Sequence, residues 1–290
     1  MKLTFGGVRG SCPVAQPDFM GYGGETTAFL IEGVAGERIL IDAGTGIRLL
    51  GRRLMETPGE KTAWLFMTHY HLDHVVGLPM LPMIYSTDWA LHMAAPDHNS
   101  ISLQEMMQRI LDRPFWPLQV EDLKSGNTYH ALEGPASLHP FLCGGIEVRW
   151  CPVRHQGDCT AYRFDEPATG ASVVIATDVE WGLASPAERA WLESLIAHPR
   201  PAELLIMDGQ YEDETIARFR GWGHSTWQEA GDLAARMKAG RLLITHHDPG
   251  ADDAQLDRIN ALVQVRYGTA SLARAGMSLD LPVSRGGGGQ

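Results

Sequence analysis

Cysteine is scarce in this chain. Four thiols, Cys12, Cys143, Cys151 and Cys159, are spread over 290 residues without a C-x-x-C pair. That spacing excludes a small disulfide scaffold and agrees with a reducing compartment. Long apolar runs are missing as well; none approaches the ~20 residues of a membrane span. The opening Met1-Lys2-Leu3-Thr4-Phe5-Gly6-Gly7 passes straight into strand-like sequence without the apolar core of a signal peptide. The expected location is therefore cytoplasmic. Positive charge is in deficit: 24 Lys and Arg stand against 35 Asp and Glu, a formal net charge of −11. A general nucleic-acid binder would show a basic face, so a large nucleic-acid partner is disfavoured. A small anionic substrate held by a metal stays open. No short-period repeat or long linker divides the chain, and its length allows a generous core. One domain is expected.

What is present is concentrated in one motif. The apolar run Ala63-Trp64-Leu65-Phe66-Met67-Thr68 reads as a buried strand and leads into His69-Tyr70-His71-Leu72-Asp73-His74, an H-x-H-x-D-H pattern. Three imidazoles with a carboxylate at the mouth of one strand suit zinc or another borderline transition metal. If the strand register continues, His69 and His71 point the same way while Asp73 and His74 turn aside, which suits two metals better than one. The competing reading, surface histidines on a loop, loses ground once further ligands are sought at strand ends. His155 follows Cys151-Pro152-Val153-Arg154, Asp178 follows Val173-Val174-Ile175-Ala176-Thr177, and His246 follows Leu242-Leu243-Ile244-Thr245. Each stands at the C-terminal end of a buried-strand pattern. His247 competes with His246, and the strand-end position favours His246.

Around these, strands are predicted at 3–8, 26–31, 38–41, 146–153, 160–164, 172–177, 203–207 and 241–245. Helices are predicted at 44–55, 102–111, 186–196, 226–237 and 253–265. Residues 80–133 read as irregular apart from the helix at 102–111 and are treated as a lid or insert within a domain spanning 1–283. Residues 284–290, Ser-Arg-Gly-Gly-Gly-Gly-Gln, read as a flexible tail. Two strand-rich halves, each with helices, suggest two sheets flanked by helices.

With H-x-H-x-D-H, His155, Asp178 and His246 in this order, the chain resembles the metallo-β-lactamase superfamily over nearly its whole length. Three further stretches resemble the phosphodiesterase branch that includes ribonuclease Z, PhnP-type cyclic phosphodiesterases and bacterial cyclic-nucleotide phosphodiesterases. They are Phe5-Gly6-Gly7-Val8-Arg9-Gly10-Ser11 with Tyr22-Gly23-Gly24-Glu25-Thr26-Thr27, then Ile41-Asp42-Ala43-Gly44-Thr45-Gly46, and Gly223-His224-Ser225-Thr226. The resemblance implies an α/β fold, a four-layer αββα sandwich, and two divalent ions, zinc foremost, with manganese, nickel and iron as alternatives. His69, His71 and His155 would hold one ion, Asp73, His74 and His246 the other, and Asp178 would bridge. The implied activity is hydrolysis of a small cyclic or oligomeric nucleotide by a metal-bridged hydroxide attacking phosphorus. Asp73 and His224 are then the catalytic groups, His224 as general acid. The alternatives are hydrolysis of a carbonyl ester (lactone, thioester or β-lactam) and a non-hydrolytic diiron sensor. A homodimer joined through 80–133 is a further implied assembly.

Several residues keep two readings. Ser225-Thr226-Trp227-Gln228 has the S-x-x-Q form of a capping box, which puts His224 just outside a helix N-terminus. There it is either catalytic or a structural cap partner. Asp42 is read as a brace behind a ligand histidine. Arg9 and Ser11 either cradle phosphate or form a turn. Phe115 and Trp116 either stack a base or form a local aromatic core. Asp208 and Tyr211 end a strand, where turn roles are favoured over a place in the cleft.

Overall fold

Most strands of this chain are apolar on both faces, and a sheet built from them has to be covered on both sides. The computed structural model, which describes residues 1–124, 126–134 and 139–281, solves this with two stacked sheets. The tail expected at 284–290 lies outside the described residues. In chain order come β1 (Lys2–Gly7), β2 (Ala28–Glu32), β3 (Arg38–Ile41), α1 (Ile47–Glu56), β4 (Thr62–Phe66), α2 (Leu72–Val75), β5 (Ala90–Ala95), α3 (Leu103–Ile110) and β6 (Gly126–Ala131). The second half holds β7 (Phe141–Cys143), β8 (Ile146–Val153), β9 (Cys159–Glu166), β10 (Ala171–Ala176), α4 (Pro186–Ala197) and β11 (Leu204–Asp208). It continues with α5 (Trp227–Arg236), β12 (Arg241–Thr245), α6 (Asp253–Tyr267) and β13 (Ala270–Leu272), before β14 (Ser278–Asp280) returns to the first sheet.

The sheets run β14-β1-β2-β3-β4-β5-β6 and β13-β12-β11-β10-β9-β8-β7. In each, antiparallel pairing at one end changes to parallel pairing, at β3–β4 in the first sheet and at β10–β11 in the second. Period-2 alternation sorts the side chains. Ile39 and Ile41 of β3 meet Val173 and Ile175 of β10 in the core between the sheets. Leu40 turns outward to a core shared with α1 and α3, and Val174 and Ala176 turn outward to one shared with α4, α5 and α6. The result is an αββα sandwich in a single domain.

The expected strands and helices are present with shifted ends, and five strands are additional. β5 and β6 lie inside the segment read as irregular, and they extend the first sheet in parallel register. Their sequences, Ala-Leu-His-Met-Ala-Ala and Gly-Asn-Thr-Tyr-His-Ala, are poor in β-branched residues, so the strand signal is weak. β7, β13 and β14 have three residues each, too few for a periodic pattern.

Arg9 is a structural brace rather than a phosphate contact. It is fully buried, and its guanidinium donates to the carbonyls of Gly23 (2.9 Å), Phe19 (3.1 Å), Asp248 (3.2 Å) and Ala251 (2.7 Å). It thereby ties the N-terminal loop to the segment that follows His246. Replacement Arg9→Met leaves buried carbonyls without donors, and unfolding in urea is expected to show a loss of about 3 kcal/mol. An unchanged midpoint would remove the brace from the account.

Candidate metal centre

Chemistry-bearing residues gather where strands end. Asp42 follows β3, His69 comes just after β4, His155 just after β8, Asp178 just after β10, and His246 directly follows β12, while Asp208 closes β11. Crevices beyond the carboxyl ends of parallel strands are the usual ligand sites of mixed α/β sheets. Asp42, Asp178 and His246 also adopt left-handed backbone, with φ of 58°, 55° and 61°. Asp and His tolerate that region better than β-branched residues do, and such strain concentrates at functional sites.

Two groups of donor atoms result. His69, His71 and His155 form one; Asp73, His74, Asp178 and His246 form the other; within each group the donor atoms lie within 4.8 Å of one another. Asp178 stands between them. Its Oδ1 lies 3.7 Å from His69 Nε2, 3.8 Å from His155 Nε2 and 3.3 Å from His246 Nε2, and its Oδ2 lies 3.1 Å from His74 Nε2. His71 turns Nδ1 inward, 3.0 Å from His155 Nε2.

Hydrogen bonds on the far side of the rings hold this arrangement. His74 Nδ1–H donates to Asp42 Oδ2 at 2.8 Å, and His155 Nδ1–H to the Gly223 carbonyl at 2.8 Å. His246 Nδ1–H donates to Gln210 Oε1 at 2.9 Å. The Thr68 hydroxyl donates to Asp42, so its oxygen is left to accept from His69 Nδ1–H at 3.1 Å. In each of these four rings Nδ1 is engaged on the far side, so Nε2 is the nitrogen turned inward, as metal ligation requires. His69 Nε2, His74 Nε2 and Asp178 Oδ2 are buried and make no hydrogen bond. Buried polar atoms without partners are costly, and a bound cation is the partner that fits neutral imidazoles and carboxylates together.

The charge balance agrees. Burial disfavours the imidazolium of His69 and pushes His155 down to about 4, so both rings are neutral donors. For His74, burial acts the same way but is outweighed by Asp178, Asp73 and Asp42, and its pKa rises well above the ordinary value. Burial would raise Asp178, yet the surrounding histidines His246, His74 and His69 hold it well below the usual carboxylate range. Three carboxylates, Asp178, Asp73 and Asp42, thus set a negative potential around the His74 ring.

Ser11, His71, Asp73, His155, Asp178, His224 and His246 line a common cavity of about 470 Å³, with Leu72, Gln156 and Trp222 at its sides. Ser11 reaches Asp73 through its backbone N–H, 2.7 Å from Oδ2. His224 Nδ1–H donates to Asp208 Oδ2 at 2.8 Å, and a ring nitrogen of His224 is within 4.8 Å of donor atoms of His155 and Asp178. Burial lowers the pKa of His224, but Asp208 overcomes it and lifts the value to about 9. Asp208 also accepts the N–H groups of Val179 and Gln210, so it serves both as a turn residue and as the partner of His224. The helix cap differs by one residue from the expected box: Thr226 and Glu229, not Ser225 and Gln228, make the reciprocal pair that starts α5. Ser225 instead accepts from the Trp181 N–H and donates to the Val179 carbonyl.

Other candidates fall elsewhere. His247 faces away from the cluster, donating to the Ala273 carbonyl at 2.8 Å. Trp116 donates to Tyr85 Oη at 3.0 Å and packs on the outer core of the first sheet, while Phe115 is exposed. Neither lines the cavity, because the segment carrying them is occupied with covering β5 and β6. Thr68, Gln210, Glu180 and Trp222 were not legible as site residues. Thr68 alone had a signal, its position between the strand and His69.

The family model described as a beta-lactamase superfamily domain matches residues 37–247. Ribonuclease Z of Haloferax volcanii is 25% identical, covering 100% of this chain and 98% of its own length. The solved structure of the short form of human tRNase Z superposes with a TM-score of 0.67 at 21% identity, covering 98% of this chain and 100% of the other. A diphosphatase of the PhnP family gives a TM-score of 0.67 at 18% identity over 98% and 99% of the two chains.

Two glycines give independent handles on the donor groups. A Cβ at Gly223 would collide with the His155 imidazole, and one at Gly10 with that of His246. Gly223→Ala and Gly10→Ala are each expected to weaken divalent-metal affinity by about 10–100-fold, read by competition with a chromophoric chelator. Unchanged affinity in both variants would mean these rings do not bind metal.

Proposed function

The chain belongs to the beta-lactamase superfamily, and from that premise we propose that it is a metal-dependent phosphodiesterase acting on a small cyclic or oligomeric nucleotide. The observation that carries this reading is the Asp208–His224 pair, 2.8 Å apart, whose histidine lines one cavity with the candidate ligands His71, Asp73, His155, Asp178 and His246. A thioesterase has less need of a separate acid, because a thiolate leaves unprotonated where an alkoxide is strongly basic.

Two divalent ions, zinc foremost, would be held by His69, His71 and His155 on one side and by Asp73, His74 and His246 on the other, with Asp178 between. When bound, such a pair supplies Lewis-acid polarisation of phosphoryl oxygens and acidifies a water molecule. The chain's own groups do the rest. Asp42 and Gln210 keep the rings in the tautomer that leaves Nε2 free. The Ser11 N–H steadies the Asp73 carboxylate. Asp208 orients His224 and favours its protonated form, so that Nε2 carries the proton needed by the leaving alkoxide. The names of relatives such as ribonuclease Z and tRNase Z keep RNA in view as a substrate. The net charge of −11 favours the smaller one, because an extended polyanion is normally bound by released counterions over a basic surface.

The test is a panel on metal-loaded protein: 3′,5′-cyclic nucleotides, dinucleotides, precursor tRNA, a lactone and a thioester. Chelator-sensitive turnover of the small phosphodiesters, at a higher kcat/KM than precursor tRNA, is expected. Preference for precursor tRNA would replace the small substrate with RNA, and cleavage of the carbonyl esters alone would overturn the phosphodiesterase. Within an active panel, His224→Ala is expected to lower kcat by about 10²–10⁴-fold with metal content unchanged. An unaltered kcat would remove the acid role.

A further inference from the structure

Trp222 is a large exposed aromatic residue held on a tightly hydrogen-bonded turn. Its side chain is 61% exposed and lines the cavity that holds the donor cluster. The loop that carries it is anchored from below by Glu180, which is buried and whose carboxylate accepts the N–H of Gly221 at 2.7 Å and of Gly223 at 3.1 Å. The Gln156 amide donates to the Gly221 carbonyl, and the Trp222 N–H donates to the Phe219 carbonyl at 3.0 Å. Gly221 and Gly223 have φ of 86° and 94°, so the tight turn on either side of Trp222 requires glycine.

The indole is braced laterally as well. Phe219 meets it edge-on with ring centroids 5.4 Å apart, and Phe219 is stacked flat on Tyr211 at 4.3 Å and 3°. Tyr211 is buried and touches the His224 ring edge-on at 6.1 Å. A continuous aromatic ladder thus runs from the general-acid histidine to the mouth of the cavity. Folding alone gives no reason to hold an indole in water at the end of such a ladder. A ligand with a planar face gives one, since the ordering cost has been met before binding.

Resting on the phosphodiesterase reading, we propose that Trp222 is a stacking platform for the nucleobase of the substrate, with the phosphate directed to the donor cluster. Stacking on an aromatic face is tolerant of base identity, so the platform selects nucleotides over base-free phosphate esters rather than one base over another.

Calorimetric titration of the metal-loaded protein with adenosine 5′-monophosphate and with ribose 5-phosphate tests this directly. The unmodified chain is expected to bind the nucleotide on the order of tenfold more tightly than the sugar phosphate. Trp222→Ala should bring the two within about twofold, and Trp222→Phe should keep most of the preference. Circular dichroism checks that the variants fold, which substitution at so exposed a side chain should permit. Equal affinities in the unmodified chain, no binding of the nucleotide, or a preference that survives Trp222→Ala would each overturn the platform. Turnover of phosphodiesters with no preference for nucleotides over base-free esters would sink the platform alone. A Trp222-dependent nucleotide preference without turnover of any phosphodiester would sink the phosphodiesterase reading alone.

Discussion

A single buried carboxylate, Asp42, sets the geometry on which the centre depends. It accepts directly from His74 and, through the Thr68 hydroxyl, from His69. One ring in each donor group is therefore fixed in the tautomer that leaves its Nε2 lone pair inside. Imidazole has two nitrogens of similar basicity, and without an acceptor on one side neither tautomer nor ring orientation is decided. Gln210 and the Gly223 carbonyl do the same for His246 and His155. The donor cluster follows from acceptors that stand behind its rings.

Concentrating carboxylates and imidazoles in a dry crevice is unfavourable in isolation. The chain offsets this by mutual placement. Asp178 stands among four histidines, and His74 among three carboxylates, so each charge has an opposite within a few ångströms. His69 Nε2, His74 Nε2 and Asp178 Oδ2 make no hydrogen bond, and a cation is the partner that their chemistry fits. The loops that approach this crevice are held with equal care. Arg9 ties the N-terminal loop to the segment after His246, and Glu180 secures the turn bearing Trp222. Fixed loops on a rigid sandwich permit preorganised electrostatics, since little has to reorganise when substrate enters.

The order of the candidate donors, the strand-end positions of His69, His155, Asp178 and His246, and the division into two helix-flanked sheets were all legible in the amino-acid sequence. Strands with apolar residues on both faces can only be interior, and polar residues that end them must face a crevice. β5 and β6 were not legible because their sequences, poor in β-branched residues, owe their conformation to neighbours in the sheet. The role of Asp208 was hidden for a different reason. A carboxylate at a strand end followed by glycine is an ordinary turn, and only the approach of His224 from another loop makes it that ring's hydrogen-bond partner.

What the sequence determined by itself was local: which residue types sit at the ends of buried strands, and hence that a metal-binding crevice forms in an αββα sandwich. What the tertiary structure alone decided was which atoms meet. Gln210 behind His246, Glu180 beneath Gly221 and Gly223, Arg9 among four carbonyls and Trp222 at the cavity mouth are contacts between segments distant along the chain. No periodicity encodes them, because side-chain direction across a crevice depends on how separate loops pack and not on the spacing of residues within any one of them.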